Sequence, residues 1–233
     1  MSLSIVDKIV DLVFPRYCPV CGNRLDIDER PICIDCNLRL PRTDNFLHPT
    51  DNAFAQSLYG KAHCERVAAF FRFIPHSDAA GIIYDAKYHG KDVYAEQMGY
   101  MMAQEASLHG FFEGIDAIVP VPITARRRWH RGFNQSESIA QGIRKVTGLP
   151  IISNALLRTD FSESQTKLDA YERKANVEKA FLLVDPAAVS HKHVLLVDDI
   201  ATTGATLVAC ANQLEQAAGC VISILTIGKT SSR

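Results

Sequence analysis

The stretch from Val194 to Thr206, Val-Leu-Leu-Val-Asp-Asp-Ile-Ala-Thr-Thr-Gly-Ala-Thr, restricts what this chain can become more than any other. Its four apolar residues make a run too short for a helix and β-branched enough for a strand buried on both faces. Two adjacent carboxylates, Asp198 and Asp199, close that run. Ala201, Thr202, Thr203, Gly204, Ala205 and Thr206 then make a turn of small residues, with the bend expected to begin at Ile200. Beyond it Leu207, Val208, Ala211 and Leu214 recur at helical spacing, so the turn opens a helix. Strand, tight turn and helix in that order point to an open α/β sheet, whose ligands bind at the carboxyl ends of the strands.

The turn is chemically one-sided. Small side chains and Gly204 let a ligand approach backbone N–H groups, and the first N–H groups of a helix have no internal partner. The helix dipole adds to this, which makes a phosphate cradle with the Thr hydroxyls as further donors. Asp198 and Asp199 accept hydrogen bonds only, and suit the vicinal hydroxyls of a ribose or a bound Mg²⁺. Together these groups describe a site for a sugar phosphate. The plainer alternative is a buried strand followed by an N-capped helix that binds nothing. Neither G-x-x-x-x-G-K-[ST] nor G-x-G-x-x-G occurs in the chain.

The order of four apolar residues, two acids, one apolar, two variable, Thr, Gly, any, Thr resembles the phosphoribosyl-pyrophosphate (PRPP) motif of type I phosphoribosyltransferases. Every fixed position of that motif is matched here. The resemblance implies a 5′-phosphate on residues 201–206 and ribose hydroxyls, with Mg²⁺, on Asp198 and Asp199.

A chain of 233 residues, 47% apolar and 22% charged, has room for one medium α/β domain and a small appendage. Its net charge of −1 gives no global pull toward nucleic acid, so such binding must come from a local patch. The apolar runs fall far short of the roughly 18 residues a membrane span needs. Asp7, Lys8 and Asp11 interrupt the N-terminal apolar residues, which argues against a signal peptide. We therefore read a cytoplasmic chain whose seven cysteines are reduced, where metal ligation is favoured over disulfides.

The spacing of Leu3, Val6, Ile9, Val10 and Val13 predicts a short amphipathic helix over residues 3–14. Next come Cys18-Pro-Val-Cys21-Gly and Cys33-Ile-Asp-Cys36. Two C-x₂-C pairs, each expected on a tight turn, fit a structural Cys₄ zinc ribbon, with Gly22 permitting the first turn. Four thiolates leave no open position, so the metal would be structural. Cys64, Cys210 and Cys220 lack partners at ligand spacing and read as core thiols. The Pro, Asn and Asp content of 43–65 reads as a linker between residues 1–42, helix and ribbon, and an α/β domain over 66–233.

In that domain a strand is expected over Val67–Ile74, helical spacing over 79–88 and a second helix over 92–108. Lys87, in Lys87-Tyr88-His89-Gly90-Lys91, is a candidate phosphate contact, though a capped helix end explains that stretch equally well. Ile115 to Pro122 reads as a strand and rigid turn. After it Arg126, Arg127, Arg128, His130 and Arg131 make a basic patch in a neutral protein, followed by a helix to Thr147. Strands at Ala180–Val184 and Val221–Ile227 complete the alternation of strands and helices, which argues a mostly parallel sheet covered by helices.

Pro120-Val-Pro122 followed by His130-Arg131-Gly132-Phe133-Asn134-Gln135 resembles the ComF family, phosphoribosyltransferase-like proteins linked to DNA uptake in bacterial competence. His130 stands where many members carry a second Arg. Arg158, Gln165, Leu168, Arg173, Asn176 and Phe181 continue the pattern, and the resemblance spans essentially the whole chain. It implies a type I phosphoribosyltransferase-like fold behind a zinc ribbon, and a catalytic set of Asp198, Asp199, Arg173 and Gln165. Arg126, Arg127, Arg128, Arg131 and Lys87 would face pyrophosphate or DNA phosphates. The polar composition and weak periodicity of residues 158–181 before Leu168 suggest a long mobile loop, either a plain surface loop or, as the resemblance implies, one that closes over the site. Two functions stay open: transfer of phosphoribose from PRPP to a nitrogen nucleophile, or a non-catalytic module binding PRPP or single-stranded DNA. In the second, the ribbon would dock a partner such as a DNA-uptake helicase.

Overall fold

The computed structural model describes residues 11–27, 31–74, 92–159 and 180–230. Its elements in chain order are α1 (Ile34–Arg39), α2 (Ala53–Leu58), β1 (Val67–Phe73), α3 (Asp92–Leu108), β2 (Ala117–Pro120), α4 (Ala125–Arg131), α5 (Gln135–Thr147), β3 (Leu156–Arg158), β4 (Phe181–Leu183), α6 (Pro186–Val189), β5 (His193–Ala201), α7 (Ala205–Leu214) and β6 (Val221–Thr230). Four strands form a parallel sheet in the order β1-β6-β5-β2, while β3 and β4 pair antiparallel in a separate ribbon. A parallel sheet flanked by helices, with a Cys₄ cluster near its N-terminus, is the fold class expected from the sequence.

The central strands carry no apolar–polar alternation because both faces are covered. Leu195 and Val197 of β5 meet Met98 and Met102 of α3 and Ile139 and Ile143 of α5. Val194 and Leu196 face the other way, onto Leu207, Cys210 and Leu214 of α7. On the first face, α3 and α5 approach to backbone contact. A Cβ at Gly142 would stand 2.0 Å from the Glu96 carbonyl oxygen, and one at Gly99 2.3 Å from that of Ile139. Only glycine fits at such a crossing, and it seats the N-terminus of α5 against the ends of β2 and β5.

Four local differences from the expectations have identifiable causes. Residues 43–65 are not a slack linker. Asn45 Oδ1 accepts from Ala69 N–H at 3.0 Å, and Asn52 Nδ2 donates to Val67 O at 2.8 Å, so two of the polar residues that suggested a loop hydrogen-bond β1 instead. Phe46, Phe54 and Leu58 anchor the stretch in the core. The second cysteine pair lies on a helix, with Cys33 as the N-cap residue of α1 and Cys36 inside it. The arginine patch is also helical: Thr124 Oγ1 accepts from Arg127 N–H at the start of α4, and Gly132 at φ 80° ends it. Finally, β5 runs to Ala201, paired with β6 through Ile200↔Gly228 and Ala201↔Lys229, so the bend starts later than Ile200.

Of the helix expected over 3–14, residues 11–13 are described and helical. The expected helix over 79–88 and the loop carrying Gln165 and Arg173 lie outside the described residues.

Candidate functional site

The carboxyl ends of β2 and β5 and the start of α7 meet at one edge of the sheet. Asp198 and Asp199 both lie within β5 and are half-buried. Successive side chains of a strand leave on opposite faces, so the two carboxylates are not equivalent. Asp198 Oδ1 accepts from the Ser136 hydroxyl at 2.9 Å and from Asp199 N–H at 2.9 Å. Asp199 Oδ1 accepts from Ile200 N–H at 2.6 Å. Fixed donors of this kind hold the charge of each carboxylate in place.

Thr202, Thr203 and Gly204 form the turn, and Gly204 caps α7 with φ 79° and ψ 1°. That left-handed conformation is the one a Cβ disfavours. No side chain caps the helix from this position. Ala205 N–H is taken by Thr203 Oγ1 at 3.3 Å, whereas Thr206 and Leu207 N–H have no hydrogen-bond partner among the described residues. From the far side the turn is pinned by β6. Lys229 Nζ donates to Thr202 O at 2.9 Å, and Thr230 Oγ1 donates to Thr202 O at 3.2 Å and to Ala201 O at 3.4 Å. Burial lowers the Lys229 pKa below its usual 10.5. A cleft of about 360 Å³ opens beside these groups, lined by Asn45, Phe54, Ser57, Arg72, Lys229 and Thr230 among others.

Ala201 belongs to the strand rather than the cradle, with 3% of its surface exposed. Thr202 to Thr206, Asp198 and Asp199 are brought together. The arginines are not gathered inward: Arg126, Arg127 and Arg128 are exposed on α4, Arg128 pairs with Glu137, and Arg131 Nη1 donates to Gln135 Oε1 at 2.8 Å. Arg158 lies 5.1 Å from the Phe181 ring centroid across the β3–β4 ribbon, so two residues of the family pattern meet. Lys87, Gln165 and Arg173 lie outside the described residues.

Sequence reasoning passed over the support of this edge. Asn134 is buried, caps α5 by accepting from Ser136 N–H at 3.1 Å, and donates to Val121 O at 3.0 Å. Gln135 and Ser136 are buried beside it. An Asn two residues past a glycine and before helical spacing is a readable cap signal. Nothing local marks Lys229 or Thr230, which act only through the fold.

In the ribbon, the four Sγ atoms of Cys18, Cys21, Cys33 and Cys36 lie within 4.8 Å of one another, with Cys21 and Cys33 at 3.7 Å. A tetrahedral ion with bonds of about 2.3 Å spaces its sulfurs by about 3.8 Å, so the donor set fits zinc. Burial raises the Cys18 pKa, but backbone N–H groups of Cys33, Cys21 and Val20 outweigh it and bring the thiol to about 7. Gly22, at φ 72°, donates its N–H to Cys18 O at 2.8 Å and closes the first knuckle. The ribbon residues Cys18, Leu25, Ile32 and Leu40 share one cluster with Phe70 and Met98, so the cluster is packed onto the sheet.

No protein-family model matches the chain. It is 29% identical over 228 residues, 94% of this chain and 99% of the relative, to the DNA utilization protein YhgH of Escherichia coli K12. Over 93 residues, 40% of this chain and 41% of the relative, it is 37% identical to competence protein F of Haemophilus influenzae. Among solved structures it superimposes on the allosteric regulatory enzyme of purine biosynthesis with a TM-score of 0.41, 22% identity and coverage of 57% of this chain and 25% of that one. For adenine phosphoribosyltransferase of Leishmania tarentolae the values are 0.36, 16%, 76% and 76%. No described helix is long and apolar enough to cross a membrane.

Proposed function

Taking the chain as a homologue of competence protein F and the YhgH proteins, with the ComF type as premise, we propose that it binds PRPP or a related 5-phosphorylated ribose. The observation that carries this reading is the open first turn of α7: two N–H groups without a partner among the described residues, behind a left-handed glycine, beside two fixed carboxylates at a strand end. The amides and Thr hydroxyls of 202–206 take the 5′-phosphate, and Asp198 and Asp199 take the ribose hydroxyls. Mg²⁺, held through the carboxylates and the ligand's own oxygens, would supply charge neutralisation for a pyrophosphate group. Loss of pyrophosphate leaves positive charge on the ribose ring, which the nearby carboxylates stabilise while cations hold the leaving group. Zinc on the four cysteines is the structural metal.

A second reading is favoured by one observation, the exposure of α4. Arginines on an open helix suit a polyanion better than an enclosed pyrophosphate, and the relatives' names refer to DNA utilization and competence. Here the protein handles DNA without turnover. Titration calorimetry with PRPP and Mg²⁺ separates the two. The first reading expects wild-type binding, with Asp199→Asn weaker by about 1–3 kcal/mol, the scale of a lost charged hydrogen bond. Arg131→Ala should weaken PRPP more than ribose 5-phosphate. Absence of binding by the wild type removes the first reading.

A further inference from the structure

We infer that α4 is a contact surface for single-stranded nucleic acid, in which Trp129 stacks on an unpaired base while arginines around it hold the neighbouring phosphates. This rests on the DNA-handling reading and uses no residue of the 202–206 turn or its carboxylates.

Trp129 is the only tryptophan of the chain, and it is 82% exposed. The helix that carries it buries none of its residues. Its two ends are closed locally, by the Thr124 cap and by Gly132 N–H donating to Arg128 O at 2.8 Å. An isolated seven-residue helix gains little from propensity, and this one gains nothing from a packed apolar face, so its surface is turned to solvent as a whole.

The charge around the indole is predominantly positive, with Glu137 of α5 reaching it through its pair with Arg128. No Asp or Glu occurs from Ala117 to Ser136, while Arg126, Arg127, Arg128, His130 and Arg131 fall within six positions. At about 100° per residue, Trp129 projects between Arg128 on one side and Arg126 and His130 on the other. His130 supports the indole edge-on, with ring centroids 5.2 Å apart. A flat aromatic face flanked on both sides by cations matches the alternation of base and phosphate along a strand.

Other occupants fit less well. Duplex DNA keeps its base faces stacked inside, out of reach of an indole. A bilayer needs a continuous apolar face, but Ala125 and Trp129 are the only apolar residues of α4. A small anion such as pyrophosphate has no use for an exposed ring.

Because Trp129 is the sole tryptophan, the fluorescence of the full chain reports on it directly. A short oligothymidylate should quench that emission to saturation, while inorganic polyphosphate of equal charge should bind without quenching. Trp129→Ala should lose roughly 5- to 150-fold in oligonucleotide affinity, the worth of one stacked base. Its salt dependence should be unchanged, and Trp129→Phe should recover most of the affinity. Arg127→Ala should instead reduce the salt slope by about one. Circular dichroism should show every variant folded, since α4 buries nothing, and PRPP titration of Trp129→Ala should match the wild type whatever the wild type does. The inference is overturned if oligothymidylate leaves the emission unchanged, if Trp129→Ala binds it as well as wild type, or if a duplex of equal length quenches equally. A blue shift with anionic vesicles and none of the oligonucleotide response would assign the surface to membranes instead.

Discussion

Gly204→Ala and Gly204→Val test whether the turn is built for a ligand or merely ends a strand. Gly204 sits at φ 79°, where any L side chain costs about 1–2 kcal/mol. A new Cβ would also stand 2.8 Å from Leu58 Cδ2, a contact the free end of that side chain can relieve by rotating. Alanine therefore carries the backbone penalty and little else. For a chain of this size, 1 kcal/mol lowers Tm by about 2–4 °C, so Gly204→Ala should melt roughly 2–8 °C below wild type. Valine adds overpacking against Leu58 and should fall further, while Leu58→Ala, which opens a cavity of its own, should cost less in the Gly204→Val background than in the wild type. Backbone strain is present with or without ligand and so leaves affinity unchanged. A larger loss of ribose 5-phosphate binding would show that the substitution also closes the approach to the Thr206 and Leu207 amides. Differential scanning fluorimetry and titration calorimetry on these variants separate these effects. Gly204→Ala melting with the wild type would refute the strain argument, and Gly204→Val binding ligand normally would refute the cradle.

Elemental analysis should find about one zinc per chain, and Cys33→Ser should lose it together with protease resistance around 16–41. A metal-free wild type with an intact ribbon would contradict the cluster assignment. Gly142→Ala should be among the more damaging single-methyl changes, since the Cβ meets the Glu96 and Tyr100 backbone at 2.0 and 2.6 Å. Prying α3 from α5 should lower Tm by about 2–12 °C, and an unchanged Tm would mean the helices are further apart. Burial lowers the His193 pKa from 6.5, with Arg66 adding to the shift and Glu65 and Asp116 opposing it. The stabilisation it reflects is present above the unfolded-state pKa and lost as pH falls through the folded value. His193→Asn should flatten the decline of Tm below about pH 6.5, and an unchanged slope would exclude this group as its source.

The sheet was legible where the chain is buried on both faces. Val194 to Val197 could not be an amphipathic strand, and the helix after Gly204 followed from Leu207, Ala211 and Leu214. Pairing was not legible: β3 and β4 form a ribbon of their own through three residue pairs, and neither segment names its partner. The carboxylates and the turn were found because their chemistry is local to thirteen residues. Their support was not, because Ser136 reaches Asp198 across 62 positions and Thr230 reaches Thr202 across 28. The 43–65 stretch misled for the same reason: Asn45 and Asn52 look like loop residues until β1 supplies the groups they bond. Trp129 was hidden by its neighbours, since a run of arginines reads as charge and not as an aromatic face.

The central claim is that the turn after β5 holds a phosphate, and amide NMR reads that most directly. Ribose 5-phosphate titrated into the ¹⁵N-labelled protein should shift the Gly204, Ala205, Thr206 and Leu207 resonances first, as their N–H groups gain a charged acceptor. Asp198 and Asp199 should follow when PRPP and Mg²⁺ replace it. Saturating ligand that leaves those four amides unmoved, or that moves only residues of α4, would contradict the account.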